Sequence, residues 1–364
     1  MACANRLIHS HRKSRGVAII SVLLVVVLSA VLVSGLLYRQ QVLVRRIENQ
    51  RLLEQTRWVE RSVLDWTRLL LHADADTGAG ITYLGGTGSV AIARRRLSGD
   101  NLSTEDSATW LSGSIEDEQA SFNLRNLVMM PAPGVLQLNL KQIECFRRLL
   151  VVLGFDGSLA KNAAVQVQAS LLRSATRFQT QNVGGAVLDR NVPIQSDASG
   201  GNTTTNNSGL SNIDDNSAVA PLQFTSVDSL LDVRGFTPEI VSRLRSFVTV
   251  LPTATAVNMN TASAEVVAAV VPGMNLSSAQ AFVSRRKTAV LRNVGDVRYA
   301  LQSVGVQQAM IDPNELNVNT RYFLVRDRVQ HERAEVDRTT LVYRDALTHA
   351  TRIVPGFGRD ISAR

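Results

Sequence analysis

The chain is poor in the residue types from which most catalytic and metal sites are built. Its 364 residues include two cysteines, Cys3 and Cys145, and five histidines, His9, His11, His72, His331 and His349. Two cysteines so far apart form neither a disulfide framework nor a Cys-x-x-Cys zinc or redox motif. No His-Glu-x-x-His, Gly-x-Ser-x-Gly or Walker sequence occurs, so metalloprotease, esterase and P-loop chemistry have no starting point. Cys145, in "QIECFRRLL", falls on a helical pattern and reads as a small core residue rather than a nucleophile. No enzyme is expected.

Charge is absent over one stretch and one-sided before it. Residues 1–16, "MACANRLIHSHRKSRG", hold Arg6, Arg12, Lys13 and Arg15 and no acid. The formal charge of +8 drops by half without them, so the basic balance is partly a property of this leader and a weak pointer to nucleic acid. From Val17 to Tyr38, "VAIISVLLVVVLSAVLVSGLLY" carries no charge at all. A helix of that length spans roughly 33 Å, the thickness of a bilayer core. Arginines follow as well, at 39, 45 and 46, so the positive-inside rule does not orient the span alone. The short basic tail is read as cytoplasmic and the large C-terminal part as exported.

Neither proline nor glycine occurs between Leu36 and Ala73. Val42, Ile47, Leu52, Val59, Val63, Trp66 and Leu70 recur at helical steps among Arg, Glu and Gln, which predicts one amphipathic helix continuous with the span. The stripe through Val59, Val63 and Trp66 is the candidate partner-helix interface, shared with packing on the protein's own sheet. The Gly-rich "DADTGAGITYLGGTGS" lacks the lysine and preceding strand of a phosphate loop. In "WLSGSIEDEQASFNLRNLV" a strand pair is expected, Trp110–Ile115 and Ala120–Leu124. Asp117 and Glu118 between them read as a solvated turn, with a catalytic carboxylate pair as the alternative.

Helical patterns then dominate: Lys141–Leu153, Ala160–Ala175, Val227–Leu231, Pro238–Val248, Ser263–Val270, Ser277–Lys287 and Asn293–Gln302. They are interrupted at 189–221 by a Gly/Asn/Ser/Thr/Asp-rich stretch that cannot build a core and reads as a flexible loop. Strand character returns in "RYFLVRDRV" and "DRTTLVYRDAL", joined by the charged "QHERAEV". No element is legible after residue 350. The class is α+β: a long N-terminal helix on an antiparallel sheet, interrupted by a large all-helical insertion.

Within the insertion, "VNMNTASAEVVAAVVPGMNLSSAQAFVSRRK" (257–287) reads like the helix-hairpin-helix and SAM-like modules that many DNA-binding proteins use. Such hairpins grip phosphate through amides of a Gly-x-Gly bend. Here Gly273 is present, but Asn275 replaces the second glycine. In "VRGFTPEIV", Gly235 is followed by Thr237 and Pro238, the latter suited to a first helical turn. Arg285, Arg286, Lys287 and Arg292 read as a solvated rim, and Asn258 and Asn260 as turn and capping residues. Nucleic acid is not expected; a membrane-anchored DNA-binding protein of competence type is the rival reading.

The sum resembles one family, the minor pseudopilins of type II secretion known as general secretion pathway protein K. The likeness rests on the "RG/VAII" junction with its apolar run, "SGSIEDEQASFNLRNL", "FTSVDSLLDVRGFTPEIVSRL", "LPTATAVNMNTASAEVV" and "RYFLVRDRV". It covers most of residues 14–345. It implies a leader at 1–16 removed by prepilin peptidase between Gly16 and Val17, a transmembrane segment at 17–38 and an amphipathic continuation at 39–73. Pilin-domain parts at 74–140 and 311–350 then flank an inserted domain at 141–310, and 351–364 is a tail. It implies a single-pass inner-membrane protein with a cytoplasmic N-terminus and a periplasmic body. Its implied partners are other minor pseudopilins, the major pseudopilin, the inner-membrane assembly platform and membrane lipid.

The resemblance also implies a place at the filament tip, carried by Ser21. Pilins usually hold Glu at this fifth mature position, paired with the terminal amine of the subunit ahead. An unpaired carboxylate at the bilayer centre costs about 2.5–3.5 kcal/mol, and a subunit with none ahead can omit it. The family's calcium-binding acids have no counterpart in "SLLRSATRF", where Arg173 and Arg177 stand. Asp197, Asp214 and Asp215 are the nearby acids and the last two the metal candidates, so no cofactor is expected and calcium is the alternative. Mass spectrometry of the mature chain is expected to find a methylated N-terminus at Val17. An intact leader, or cleavage after the apolar run, overturns the pilin reading.

Overall fold

The computed structural model describes residues 15–78, 80–86, 91–97, 109–132, 135–183, 224–307, 311–312, 314–332, 334–357 and 360–361. Helix α1 (Arg15–Thr77) runs unbroken for 63 residues, about 95 Å at the usual rise. Strands β1 (Ala91–Arg96) and β2 (Thr109–Asp117) follow. A short 3-10 turn at Glu118–Ala120 then leads into an inserted body.

That body opens with β3 (Phe122–Asn123), a second 3-10 turn, and the hairpin β4 (Val128–Ala132) and β5 (Val135–Leu138). Helices α2 (Leu140–Val152) and α3 (Leu159–Val183) follow. After a 3-10 turn at Val227–Asp232 come α4 (Pro238–Leu244), β6 (Val248–Thr249), β7 (Val257–Asn258), α5 (Ala264–Val270), α6 (Leu276–Arg286), α7 (Val294–Ser303) and β8 (Leu316–Asn317). The chain returns to the main sheet in β9 (Tyr322–His331), β10 (Ala334–Arg344), β11 (Thr351–Ile353) and β12 (Asp360–Ile361).

The helices begin where the sequence supplies caps. Asn139, Thr237, Ser263, Asn275 and Asn293 each accept a hydrogen bond from the backbone N–H three residues on, satisfying an orphan donor of the first turn. Pro238 occupies the first turn of α4, as read. The core joins Phe122 and Phe146, stacked at 5.5 Å, to Leu149, Leu150, Leu230, Leu244, Val267, Phe282 and Leu301.

This core reaches from Phe122 to Val318, so the insertion is wider than the expected 141–310, and the pilin part expected to reach 140 ends near Asp117. The expected strand pair is corrected for the same reason. Residues 122–123 pair in parallel with Val248 and Thr249 and do not fold back on β2. Two-residue strands offer no alternation from which a partner can be read.

The main sheet has the order β1-β2-β9-β10-β11, with β12 also on β10. All these pairings are antiparallel. β9 and β10 absorb most of "QHERAEV", leaving the turn at Glu332, whose φ is 51°. The tail expected to be featureless contributes β11 and β12. On β9, Phe323, Val325, Asp327 and Val329 alternate toward α1. Gly113 of β2 pairs with Asp327, and a Cβ there would run into the Arg326 carbonyl.

The insertion leaves at the end of β2 and returns at the start of β9, two neighbouring strand ends. Its mouth is closed by buried polar groups. Asn258 donates through Nδ2 to Asp117 Oδ2 (2.7 Å), the Thr82 carbonyl (3.1 Å) and Thr320 Oγ1 (3.1 Å). Its Oδ1 accepts from the Asn260 N–H. Thr261 donates to Asp117 Oδ2 and the Gln119 N–H to Oδ1. Gln119 also joins the Ala256 carbonyl to the Arg321 N–H. Asp117 is therefore no solvated turn residue, and burial pushes its carboxyl up against these bonds. Burial raises Glu118 too, although Thr249 donates to it.

Removing the Asn258 amide leaves several buried acceptors short of a donor, each costing about 1–3 kcal/mol. Asn258→Ala is expected to lower the urea midpoint by the equivalent of roughly 3 kcal/mol or more. Asn275→Ala, which removes only an exposed cap, should cost about 1 kcal/mol. Equal losses for the two would refute the anchoring role of Asn258.

Candidate functional site

Helix α1 divides sharply at residue 52. From Ile19 to Arg51 every residue is exposed, although the apolar end is hydrophobic enough to cross a membrane, with mean hydropathy 2.9. Gly16 and Val17 lie in the first turns of α1, and Ser21 sits on its exposed surface. From Leu52 onward a stripe at three- and four-residue steps is covered by the sheet: Thr56, Glu60, Val63, Leu64, Thr67, Leu71 and Ala75. The buried hydroxyls of Thr56 and Thr67 donate back to the Leu52 and Val63 carbonyls, so they need nothing from the sheet.

The candidate partner stripe splits along this line. Val63 is buried against Leu111 and Val329, with Val59 packed beside it. These two residues belong to the intramolecular contact and are removed from the partner surface. Trp66 is 52% exposed and points away, as do Trp58 (66%) and Leu69 (70%). The outward face carries two of the chain's three tryptophans. Periodicity marks the apolar positions of a helix; which of them a single sheet covers depends on its orientation.

Between the two apolar clusters under α1 lies a polar belt. Glu60 of α1, 2% exposed, accepts from Arg338 Nη1 at 3.0 and 3.1 Å. Beside it Asp327, 4% exposed, receives no hydrogen bond from any other residue described. Burial, helped by the nearby Glu60 charge and only partly offset by Arg338, pushes the Asp327 carboxyl up to about 7. Two buried carboxylates thus share one guanidinium, and the second is most stable holding a proton.

At the far end of α1 the buried Arg344 gathers three segments. Its Nη1 donates to the Leu71 carbonyl (3.0 Å) and Asp74 Oδ2 (3.5 Å), and Nη2 to Thr82 Oγ1 and the Thr320 carbonyl (both 3.3 Å). Its guanidinium lies over the Phe323 ring at 4.7 Å. A cation near a helix C-terminus also suits the helix dipole. Contacts along α1 therefore run from Val59 and Val63 to Leu71 and Asp74 beside Thr82 and Thr320. The mouth of the insertion lies at the C-terminal end of α1, away from its exposed half.

In the DNA-like stretch several polar side chains turn to the protein's own backbone. Asn275 caps α6 at the place of the second glycine, accepting from Ser278 N–H. Arg286, read as part of a solvated rim, is buried and donates to the Met259 and Ala262 carbonyls. Asn260 is buried as well, bonding both the carbonyl and the N–H of Leu291. These side chains hold the loop from 257 to 262 against α6 and the return segment.

Cys145 lies in the helical core, as read, and burial raises its thiol to about 11, which keeps it unreactive. Among the described residues no group of three His, Cys, Asp or Glu side chains forms a metal centre. Asp197, Asp214, Asp215 and the stretch 189–221 lie outside the described residues, and the side chains of Arg173 and Arg177 are likewise not described.

Two segments match the family described as type II secretion system (T2SS), protein K: residues 120–253 and residues 257–320. Together they make up more than half of the chain. Their outer limits agree with the observed insertion. Comparison with curated protein sequences gives no match. Among solved structures, the chain is similar to one chain of the GspK-GspI-GspJ complex from the enterotoxigenic Escherichia coli type 2 secretion system. The identity is 15% and the TM-score 0.57, over 85% of this chain and 97% of that one. At that identity the likeness is one of fold.

The raised Asp327 carboxyl fixes the sign of a pH effect. Protonation favours the folded state, so ionisation of Asp327 adds no cost below about pH 4, near the ordinary Asp value of 3.8. The cost grows through the interval up to about 7 and is complete above it. Asp327→Asn is expected to stabilise the protein at pH 8 by on the order of 2–3 kcal/mol and to change little at pH 4. Urea melts at both pH values test this, and equal effects at the two overturn it.

Proposed function

The chain belongs to the type II secretion system protein K family, and on that premise we propose that it is a minor pseudopilin that stands at the tip of the periplasmic pseudopilus. There it joins other minor pseudopilins to start the filament and support protein export across the outer membrane. The observation that carries this reading is the division of α1 together with the place of the insertion. One half of the helix is exposed all round and is apolar as far as Tyr38, suited first to a bilayer and then to neighbouring helices. The other half is fixed to the sheet, and the large helical body hangs from the end far from the membrane. A bulky body on that side obstructs a subunit ahead, and nothing of the kind hinders subunits added behind.

Ser21 supports the same reading, since a subunit with no neighbour ahead has no amine to neutralise. The partner face is the outward stripe of Trp58, Trp66 and Leu69, supplied with aromatic anchors of the kind that dominate interfaces. The expected orientation is single-pass, with the sheet and helical body in the periplasm. Prepilin peptidase, the assembly platform and the major pseudopilin are the further partners.

Replacing Trp58 and Trp66 together by alanine is expected to weaken association with the other minor pseudopilins on the order of tenfold or more. The thermal midpoint should stay as it is, because neither ring packs on the sheet. Unchanged association would remove this face from the interface. Crosslinking that found the protein spaced evenly along the shaft would sink the tip assignment.

A further inference from the structure

We propose that Arg39, Arg45 and Arg46 form a collar for anionic phospholipid headgroups on the exported side of the membrane. The proposal rests on the single-pass orientation given above. It concerns a segment that neither the sheet nor the helical body touches: the sheet first covers α1 at Leu52, and residues 39–51 are exposed on every side.

Three observations converge on this segment. The first is position along the axis. The uncharged run ends at Tyr38 and fills the bilayer core, so Arg39 stands at its edge. Arg45 and Arg46 follow about 9–10 Å further along the helix. The polar headgroup zone is roughly 5–7 Å deep on each side, and an arginine stem laid back along the helix spans the remainder.

The second is position around the axis. At about 100° per residue, Arg39 and Arg46 fall on nearly the same side. Arg45 stands about a quarter-turn from Arg46. Leu43, Ile47 and Val44 follow round the axis at about 40°, 80° and 140° from Arg39, while Val42 falls between Arg46 and Arg45, and all four are exposed. Arginines set among exposed apolar residues, directly after a membrane span, suit a helix passing through the headgroup zone, where the apolar side chains face the acyl boundary and the guanidinium groups reach the phosphates. The third is charge. From residue 39 to 51 there are four arginines, including Arg51, and one acid, Glu48. Basic residues on the exported side oppose the usual topology bias, so their presence calls for a partner of opposite charge. Before assembly the surface that surrounds this stretch is the lipid itself, where each arginine adds attraction to anionic headgroups.

The test uses the full chain reconstituted in bilayers of phosphatidylcholine with traces of spin-labelled phosphatidylglycerol or spin-labelled phosphatidylcholine. Electron paramagnetic resonance then reads the share of each label held at the protein boundary. The leader's own Arg6, Arg12, Lys13 and Arg15 attract the same lipid at the other surface, so the decisive reading is the change on substitution. Phosphatidylglycerol is expected to be preferred by about twofold or more. Arg45→Gln with Arg46→Gln should lower that preference, and so should 1 M salt, where screening acts within about 3 Å.

These substitutions lie on an exposed helix, so loss of folding does not confound them. A preference that the double variant leaves intact overturns the collar. So does a double variant that keeps lipid preference but loses its pseudopilin partners, which assigns the arginines to acidic residues of a neighbouring helix. Neither outcome depends on where the protein stands in a filament, so the tip reading fails or survives separately.

Discussion

The amide of Asn258 sits where three parts of the chain must agree. The insertion is a long excursion between two adjacent strand ends, and an excursion of that kind costs closure entropy that grows only slowly with its length. What the fold must supply is a rigid mouth. Asp117 at the end of β2, Thr82 after α1, and Thr320 before β9 all receive the same amide. The group is buried, so each bond is made in a low-dielectric setting where an unpaired partner is costly. Satisfied together, these groups fix the helical body to the sheet at one place and in one orientation.

From that mouth the geometry of α1 follows. Arg344 closes the same region from the other side, tying the last turns of α1 to the segment that re-enters the sheet. Apolar contacts through Leu71, Leu64 and Val63 then lay the helix along the sheet as far as Leu52. Beyond it no tertiary surface is offered. The Glu60–Arg338–Asp327 belt in the middle is a weaker stretch of that contact. Replacing buried ion pairs by apolar groups is often neutral or stabilising, so the belt contributes register more than strength. Apolar side chains alone would slide by a turn at small cost; a single guanidinium facing Glu60 would not.

Much of this was legible in the sequence. The long helix, most inserted helices and the central strands of the sheet are written in strong periodicities, and Asn, Ser and Thr caps mark the starts. The errors share a cause. By sequence, Asp117, Glu118 and Arg286 read as solvated, because charged residues usually are. Asp117 is buried and Glu118 half-buried against partners more than a hundred residues away, and Arg286 is buried against two carbonyls of a loop. Val59 and Val63 group with Trp66 in sequence because all three are helical-stripe residues. The mouth itself carried a signal, the repeated asparagine of "VNMNTA". It is visible as a motif and reads as turn and helix capping, since sequence does not show that a capping residue also bridges two bodies.

The exposed half of α1 sets the last constraint. Its first part, apolar on all sides as far as Tyr38, cannot stand in water, because so large an exposed apolar area is not found on isolated soluble proteins. It must exchange one cover for another. In the proposed reading the first cover is lipid and the second a set of neighbouring helices. Both covers meet the same side chains, so the surface has to suit a fluid bilayer and a packed bundle alike. Small and β-branched residues serve both, since they pack closely against helices and dissolve in lipid. Charge does not. The arginines after Tyr38 are held where headgroups can reach them, and lifting the helix from the membrane breaks those contacts one after another. In the proposed reading the sheet-bound half keeps its own cover throughout this exchange. The step between the two environments is therefore concentrated in residues 39–51, the short length of α1 that neither the bilayer core nor the protein's own body encloses.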